Sequence, residues 1–259
     1  GYRHMNGFGS HTFSMINAEN ERVWVKFHFK TKQGIKNFSN AEAVKMKGEN
    51  PDFAQEDLVY AIAEGNYPKW TLSIQVMTEE QAQEFRWNPF DVTKVWFHDE
   101  FPLIEVGEVE LNEIPNNFFA HVEQSTFSPS NLISGISFSP DKILQGRLFS
   151  YPDAHRYRVG VNAHQLEVNR CPFAVNNYQR DGFMADSSGY KDNPNYYPNS
   201  FDEVKPDADY KNFEYDLDAT KVAHFNRNED DDDHYTQPGL LYTKAMTQEN
   251  RENLINNII

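Results

Sequence analysis

Arg147 and Tyr151 stand four residues apart in the run Gly146-Arg-Leu-Phe-Ser-Tyr-Pro-Asp153. On a helix that spacing puts a guanidinium and a phenol on one face, one turn from each other. Ionising a tyrosine whose pKa is near ~10 costs roughly 4 kcal/mol at neutral pH. A neighbouring cation that cannot deprotonate, together with a ferric ion, would supply that stabilisation. Tyrosine is also one of the few axial ligands that proteins give to haem iron. The same spacing serves an ordinary amphipathic helix with a buried Tyr and an adjacent Arg, and the pair alone does not choose between the two.

The element that must carry the pair has a marked start. Ser139-Pro140-Asp141 offers an N-cap, a proline for the first helical position and an acid for the first turn, so a helix is predicted over 139–157. Gly146 in its interior costs about 1 kcal/mol relative to Ala, which predicts a close approach there. Pro152 has no N–H to donate and is expected to kink the helix just past the tyrosine.

Upstream, residues 23–29 alternate: Val23, Val25, Phe27 and Phe29 on one face, Trp24, Lys26 and His28 on the other. That is the pattern of a strand with one face buried. Residues 11–17 read as its hairpin partner, with the turn near Glu19-Asn20-Glu21. Trp70, Leu72, Ile74 and Val76 mark a third strand, 103–111 a fourth and 120–126 a fifth. Two helices fall between the second and third strands. One runs from Asn40 to Lys47 behind a cap at Ser39 or Asn40, and one from Phe53 to Glu64, stopped by Gly65 and Pro68. Meandering strands interrupted by helices indicate an α+β fold built on a barrel or a strongly curved antiparallel sheet.

The formal charge of −15 argues against a nucleic-acid partner and an anionic membrane surface. The single Cys171 excludes an intrachain disulfide and fits a reducing compartment. No apolar run reaches membrane-spanning length and no signal-peptide pattern opens the chain, so a soluble, cytoplasmic protein is expected. The acidic run Glu229-Asp-Asp-Asp-Asp-His234 lacks the spaced ligands and turn glycine of a calcium loop and reads as solvated. The nine histidines include no helical pair with zinc spacing, and Gly7-Phe-Gly9 is too short for a phosphate loop. From 162 to 238 periodicity nearly vanishes, while the many tyrosines favour an ordered excursion. Helical spacing returns from Leu240 to Ile259.

Five stretches, in order along the chain, resemble one family. They are Arg3-His-Met-Asn-Gly-Phe-Gly-Ser-His-Thr-Phe13, Asn88-Pro-Phe-Asp-Val-Thr-Lys-Val-Trp96, Gln145-Gly-Arg-Leu-Phe-Ser-Tyr-Pro-Asp153, Tyr178-Gln-Arg-Asp-Gly182 and Asn195-Tyr-Tyr-Pro-Asn-Ser-Phe201. Together they are similar to the haem catalases of the small-subunit, NADPH-binding type. The resemblance implies the later part of an antiparallel β-barrel over 1–161, a proximal haem-ligand helix at 139–157, a wrapping segment over 162–238 and the start of a helical domain at 239–259.

It also implies roles. Tyr151 is matched to the proximal ligand of haem b iron and Arg147 to the cation that holds it ionised. His11 and Asp141 are matched to a hydrogen-bonded line Tyr–Arg–His–Asp. Arg158 matches an arginine that pairs with a haem propionate, and His155 a position near the haem edge. Asn6, Phe8, Lys30, Trp96 and His98 match the NADPH site, with Phe8 standing where the family often has Tyr. The implied activity is dismutation of hydrogen peroxide to water and oxygen by a homotetramer. The distal histidine and asparagine of the family fall before the position matched by Gly1, and none of this chain's histidines takes the distal role. A piece of a longer protein is therefore expected. Two alternatives stand beside it: a catalytically silent polypeptide with a structural role only, and a catalase-fold enzyme that converts fatty-acid hydroperoxides.

Overall fold

One close approach fixes how the first strands meet. The Gly9 N–H donates to the Phe27 carbonyl at 2.7 Å, and a Cβ at Gly9 would lie 2.8 Å from that oxygen, so no larger residue fits without movement. β1 (Gly7–Phe8) and β2 (Phe13–Ile16) therefore follow one another along the same edge of β3 (Arg22–Thr31), pairing Gly7 with Phe29 and Phe13 with Val25. Asn20, at a φ of 65°, makes the reversal between β2 and β3 where the turn was expected.

The structure, a computed structural model, describes residues 1–172, 194, 196–201 and 233–259. Within these the chain forms two compact units, one of 1–114, 138–142 and 233–259, the other of 115–137, 143–172 and the described residues near 200.

In the first unit, α1 (Asn40–Glu49) starts at a capping box in which Ser39 and Glu42 satisfy each other's backbone N–H groups. α2 (Phe53–Ala63) ends before Gly65, whose φ of 78° suits a residue without a side chain. β4 (Lys69–Met77) pairs antiparallel with the far edge of β3, setting Lys26 opposite Gln75 and His28 opposite Ser73. α3 (Glu79–Glu84) is a further helix that the sequence reading passed over, although Thr78 and Gln81 form a second capping box. β5 (Ile104–Glu110) adds to β4 with a register shift at Leu72 and Ser73, giving a curled sheet of order β5-β4-β3-β2.

The packing buries residues on both faces of β3, where one buried face is expected. Trp24, Lys26 and His28, the side that reads as polar, are buried, and on the other side Val25 is fully buried while Val23, Phe27 and Phe29 are half-buried. Trp24 sits in an aromatic core with Met77, Phe85, Trp87, Phe90, Trp96 and Phe101. Each such side chain contributes roughly 1.5–3 kcal/mol on burial, which offsets the cost of drawing two polar neighbours inward.

In the second unit, residues 120–126 are not a strand. Phe119–Glu123 forms a π-helical turn, because Asn117 accepts from the Ala120 and His121 N–H groups with its side-chain and backbone oxygens. An asparagine that caps a turn outweighs the weak alternation after it. A short β6 (Ile136–Ser137) follows. α4 (Lys142–Arg158) starts three residues later than expected, so Pro140 is not its first residue and Asp141 lies just ahead of it. It continues through Pro152 to Arg158. Among the described residues nothing lies within 4 Å of a Cβ built on Gly146, contrary to the close approach expected there.

Residues 236–258 are broken into α5 (Thr236–Leu240), a π-helical turn at Leu241–Ala245 and α6 (Gln248–Ile258), where one helical run was read. Most of 162–238, including Tyr178–Gly182, lies outside the described residues.

Candidate functional site

His11 reaches its position because the backbone on either side is tied down. Thr12 Oγ1 donates to the Pro89 carbonyl at 2.8 Å, and Ser14 Oγ donates to the Phe138 carbonyl at 2.9 Å. The second bond draws the segment before α4 against β2. His11 Nδ1 then lies 2.6 Å from Asp141 Oδ2, with both side chains buried and 130 residues apart in sequence. A carboxylate only accepts, so Nδ1 carries a proton and donates.

Arg147 and Tyr151 are positioned by α4 itself. Arg147 Nη2 donates to the Tyr151 hydroxyl oxygen at 3.0 Å, and its Cζ lies 4.7 Å from the phenol ring centroid. Both are half-buried. The contact holds the phenol oxygen beside a permanent cation, and a tyrosine oxygen is one of the few axial donors that proteins give to haem iron. His155 lies one turn on, its ring 5.9 Å from that of Tyr151, and burial together with Arg158 pushes its imidazole below the ordinary value. Arg158 is turned to the chain: Nη1 and Nη2 donate to the carbonyls of Glu123 and Ser125 at 2.5 and 2.7 Å. The His11–Asp141 pair belongs to the first unit and the Arg147–Tyr151 pair to the second.

The residues matched to a nucleotide site all fall in the first unit, and several converge. Phe8 is 59% exposed, Lys30 Nζ stands 4.5 Å over its ring, and the rings of Phe8 and His98 each lie 5.9 Å from His28. Burial lowers the Lys30 ammonium. Asn6 Oδ1 accepts from the Thr31 N–H at 3.0 Å, which fixes the chain beside Lys30. Trp96 is separate: its indole is in the aromatic core and its carbonyl accepts from Gln75 Nε2 at 3.1 Å.

His28 is the member of this cluster that the sequence reading missed. Gln75 Nε2 donates to the Trp96 and Phe101 carbonyls, so Gln75 Oε1 must accept from His28 Nε2, at 2.8 Å. His28 Nδ1 is then a buried acceptor with no partner among the described residues. Burial pushes this imidazole below its ordinary value, and Lys30, His98 and Lys26 add to the effect. The signal was its place beside Trp24 and Lys26 on the face that proves buried.

The family model described as catalase matches residues 1–203. The chain belongs to the catalase family. It is 54% identical to the catalase of the Onchocerca volvulus endobacterium over 100% of this chain and 53% of that protein, and 53% identical to catalase A of Pseudomonas putida over 100% and 53%. Among solved structures, it is similar to catalase A from Saccharomyces cerevisiae, with a TM-score of 0.88 and 39% identity over 99% of this chain and 54% of that one. A fungal catalase matches with a TM-score of 0.89 and 42% identity over 99% and 52%. This catalase-family chain thus spans about half the length of the relatives it matches, and its fold, α+β with a curled antiparallel sheet and helical insertions, is that of the matching part of catalases.

Proposed function

We propose that this chain carries the proximal haem-ligand side of a catalase that dismutates hydrogen peroxide to water and oxygen. The observation that carries the reading is the Arg147 Nη2 to Tyr151 hydroxyl contact of 3.0 Å on α4, in a chain of the catalase family. A phenol oxygen held beside a permanent cation suits a ferric haem, and Tyr151 is the residue that would hold the iron. The haem, when bound there, supplies the redox chemistry by which one peroxide is reduced to water and a second is oxidised to oxygen.

This chain's own groups do the rest of the proximal work. Arg147 donates to the Tyr151 oxygen and so orients the group that would hold the iron, the part that outer-shell partners play for ligands. Asp141 accepts from Nδ1 of His11 and fixes the orientation of the ring. Arg158 and His155, on the last turns of α4, are assigned to the haem edge and propionates in this reading, and Arg158 would first have to give up its two carbonyls.

The reading also includes NADPH on the Phe8–Lys30–His28–His98 cluster, where an exposed aromatic face lies beside a cation, a combination suited to an anionic dinucleotide. Asn6 fixes the chain beside Lys30, whereas Trp96, which the resemblance matches to this site, lies in the aromatic core. A homotetramer and a cytoplasmic location complete the proposal. The first rests on the low-periodicity stretch 162–238 as a wrapping segment, the second on the single Cys171.

Tyr151→Phe, made in the full-length protein, tests the reading by absorption spectroscopy and peroxide turnover. Loss of the Soret band or its displacement, with turnover down more than ~100-fold, is expected because losing a ligand exceeds the ~10–100-fold cost of losing an outer-shell partner. An unchanged Soret band and unchanged turnover would sink it.

A further inference from the structure

Arg158, the last residue of α4, follows Tyr151 by about two turns and so lies on the same helix face. Its guanidinium is docked on the segment that leaves the π-helical turn at Phe119–Glu123. It donates to the Glu123 carbonyl at 2.5 Å and to the Ser125 carbonyl at 2.7 Å. Among the described residues no carboxylate pairs with it, so its charge is met by carbonyl dipoles and solvent.

The same segment is gripped a second time, by Asn169. Asn169 Nδ2 donates to the Gln124 carbonyl at 2.9 Å and to the Ala163 carbonyl at 2.8 Å, and Oδ1 accepts from the Thr126 N–H at 2.8 Å. Both ends of the amide are thus engaged, and exchanging its O and N would set donor against donor. Asn169 is itself fixed by a turn, its N–H donating to the Leu166 carbonyl at 2.9 Å. A loop asparagine ordinarily bonds to backbone a few residues away. Two of the bonds made here reach back 43 and 45 residues instead. Four consecutive residues are therefore held alternately, 123 and 125 by Arg158, 124 and 126 by Asn169, all within the second unit.

We propose that Asn169 is a positioning residue of the haem edge: it pins the segment 123–126 on which Arg158 docks, and so sets where that guanidinium meets a haem propionate. The proposal rests on the assignment of Arg158 to a propionate. With Asn169 in place the segment keeps its position and only a side chain has to turn toward the propionate. Without it, that turn costs the order of the segment as well.

The rate of haem transfer from the full-length protein to excess apomyoglobin tests this. Asn169→Ala is expected to lose haem about 10-fold faster than wild type, the lower end of the ~10–100-fold cost of losing an outer-shell partner. Arg158→Ala is expected to lose it faster too, and the double variant no faster than Arg158→Ala alone, because Asn169 acts through Arg158. A wild-type rate in Asn169→Ala, or additive effects in the double variant such as a merely loosened fold would give, would overturn the proposal. An unchanged rate in Arg158→Ala overturns the propionate assignment and the proposal with it, so the two failures are told apart. Should Asn169→Ala not fold, amide hydrogen exchange in haem-free Arg158→Ala gives a second reading. The Thr126 N–H is expected to stay protected there, since Asn169 Oδ1 accepts from it, whereas exchange as fast as in an open loop would overturn the proposal.

Discussion

Two residue pairs are assigned to the proximal site in the proposed reading, and the chain builds them in opposite ways. Arg147–Tyr151 is local: one helix turn sets the 3.0 Å contact, both groups are half-buried, and no other element is needed. His11–Asp141 is tertiary: 130 residues of chain are closed by Gly9 against Phe27, by Thr12 to Pro89 and by Ser14 to Phe138, and the resulting pair is buried. The difference predicts where mutations are felt. A local, half-exposed pair contributes little to folding, so its loss is felt in ligand chemistry. A buried pair is coupled to packing and to the balance of interior charge, so its loss is felt in stability and in pH dependence.

The largest effect that would sharpen this contrast concerns Lys26, on the buried side. Its folded-state value of about 8 lies below the 10.5 of an exposed lysine. Between those values the unfolded chain still holds a proton that the folded chain has released, so stability rises with pH across that window. The gap amounts to about 3 kcal/mol. Denaturant unfolding at pH 7.5 and pH 10 is expected to show wild type losing less stability over that interval than Lys26→Met. Parallel pH profiles for the two proteins would break the account of the buried region.

Next comes the local pair. Arg147→Met is expected to lower haem retention or turnover by ~10–100-fold, the usual cost of losing an outer-shell partner, with a change in folding stability below about 1 kcal/mol. Arg147→Lys is expected to fall between, since a lysine keeps the charge without the planar fork. A midpoint of unfolding that drops sharply in Arg147→Met, with haem retained, would reverse the comparison.

The smallest effect is that of Asp141→Asn. It keeps the shape of the side chain but replaces a charged acceptor with an amide, at a cost of about 1–3 kcal/mol read by thermal unfolding of the haem-free protein. Destabilisation well below that range would mean the tertiary pair is as weakly coupled to the fold as the local one.

What could be read from the sequence follows the same division. Arg147 and Tyr151 were visible because i and i+4 are neighbours on any helix, and α1 and α2 because Ser39 and Gly65 mark their ends. No spacing rule links His11 to Asp141, and only the family resemblance brought the two together. The burial of Lys26 and His28 on β3 is not legible, because both look like surface residues. Only the structure shows Gln75, the Lys94 carbonyl and the Trp96 ring waiting for them. Residues 120–126 read as a strand because Asn117, the cap that turns the backbone there, lies ahead of their alternation. The box at Thr78 and Gln81 is legible from its spacing alone.

The central claim is that Tyr151 meets iron as a phenolate held by Arg147. Resonance Raman spectroscopy of the haem-loaded full-length protein, grown with ring-labelled tyrosine, reads that bond directly. Phenolate ring modes that shift with the label in wild type and vanish in Tyr151→Phe are the expected result. A wild-type spectrum without label-sensitive phenolate modes, or modes that persist in Tyr151→Phe, would contradict it.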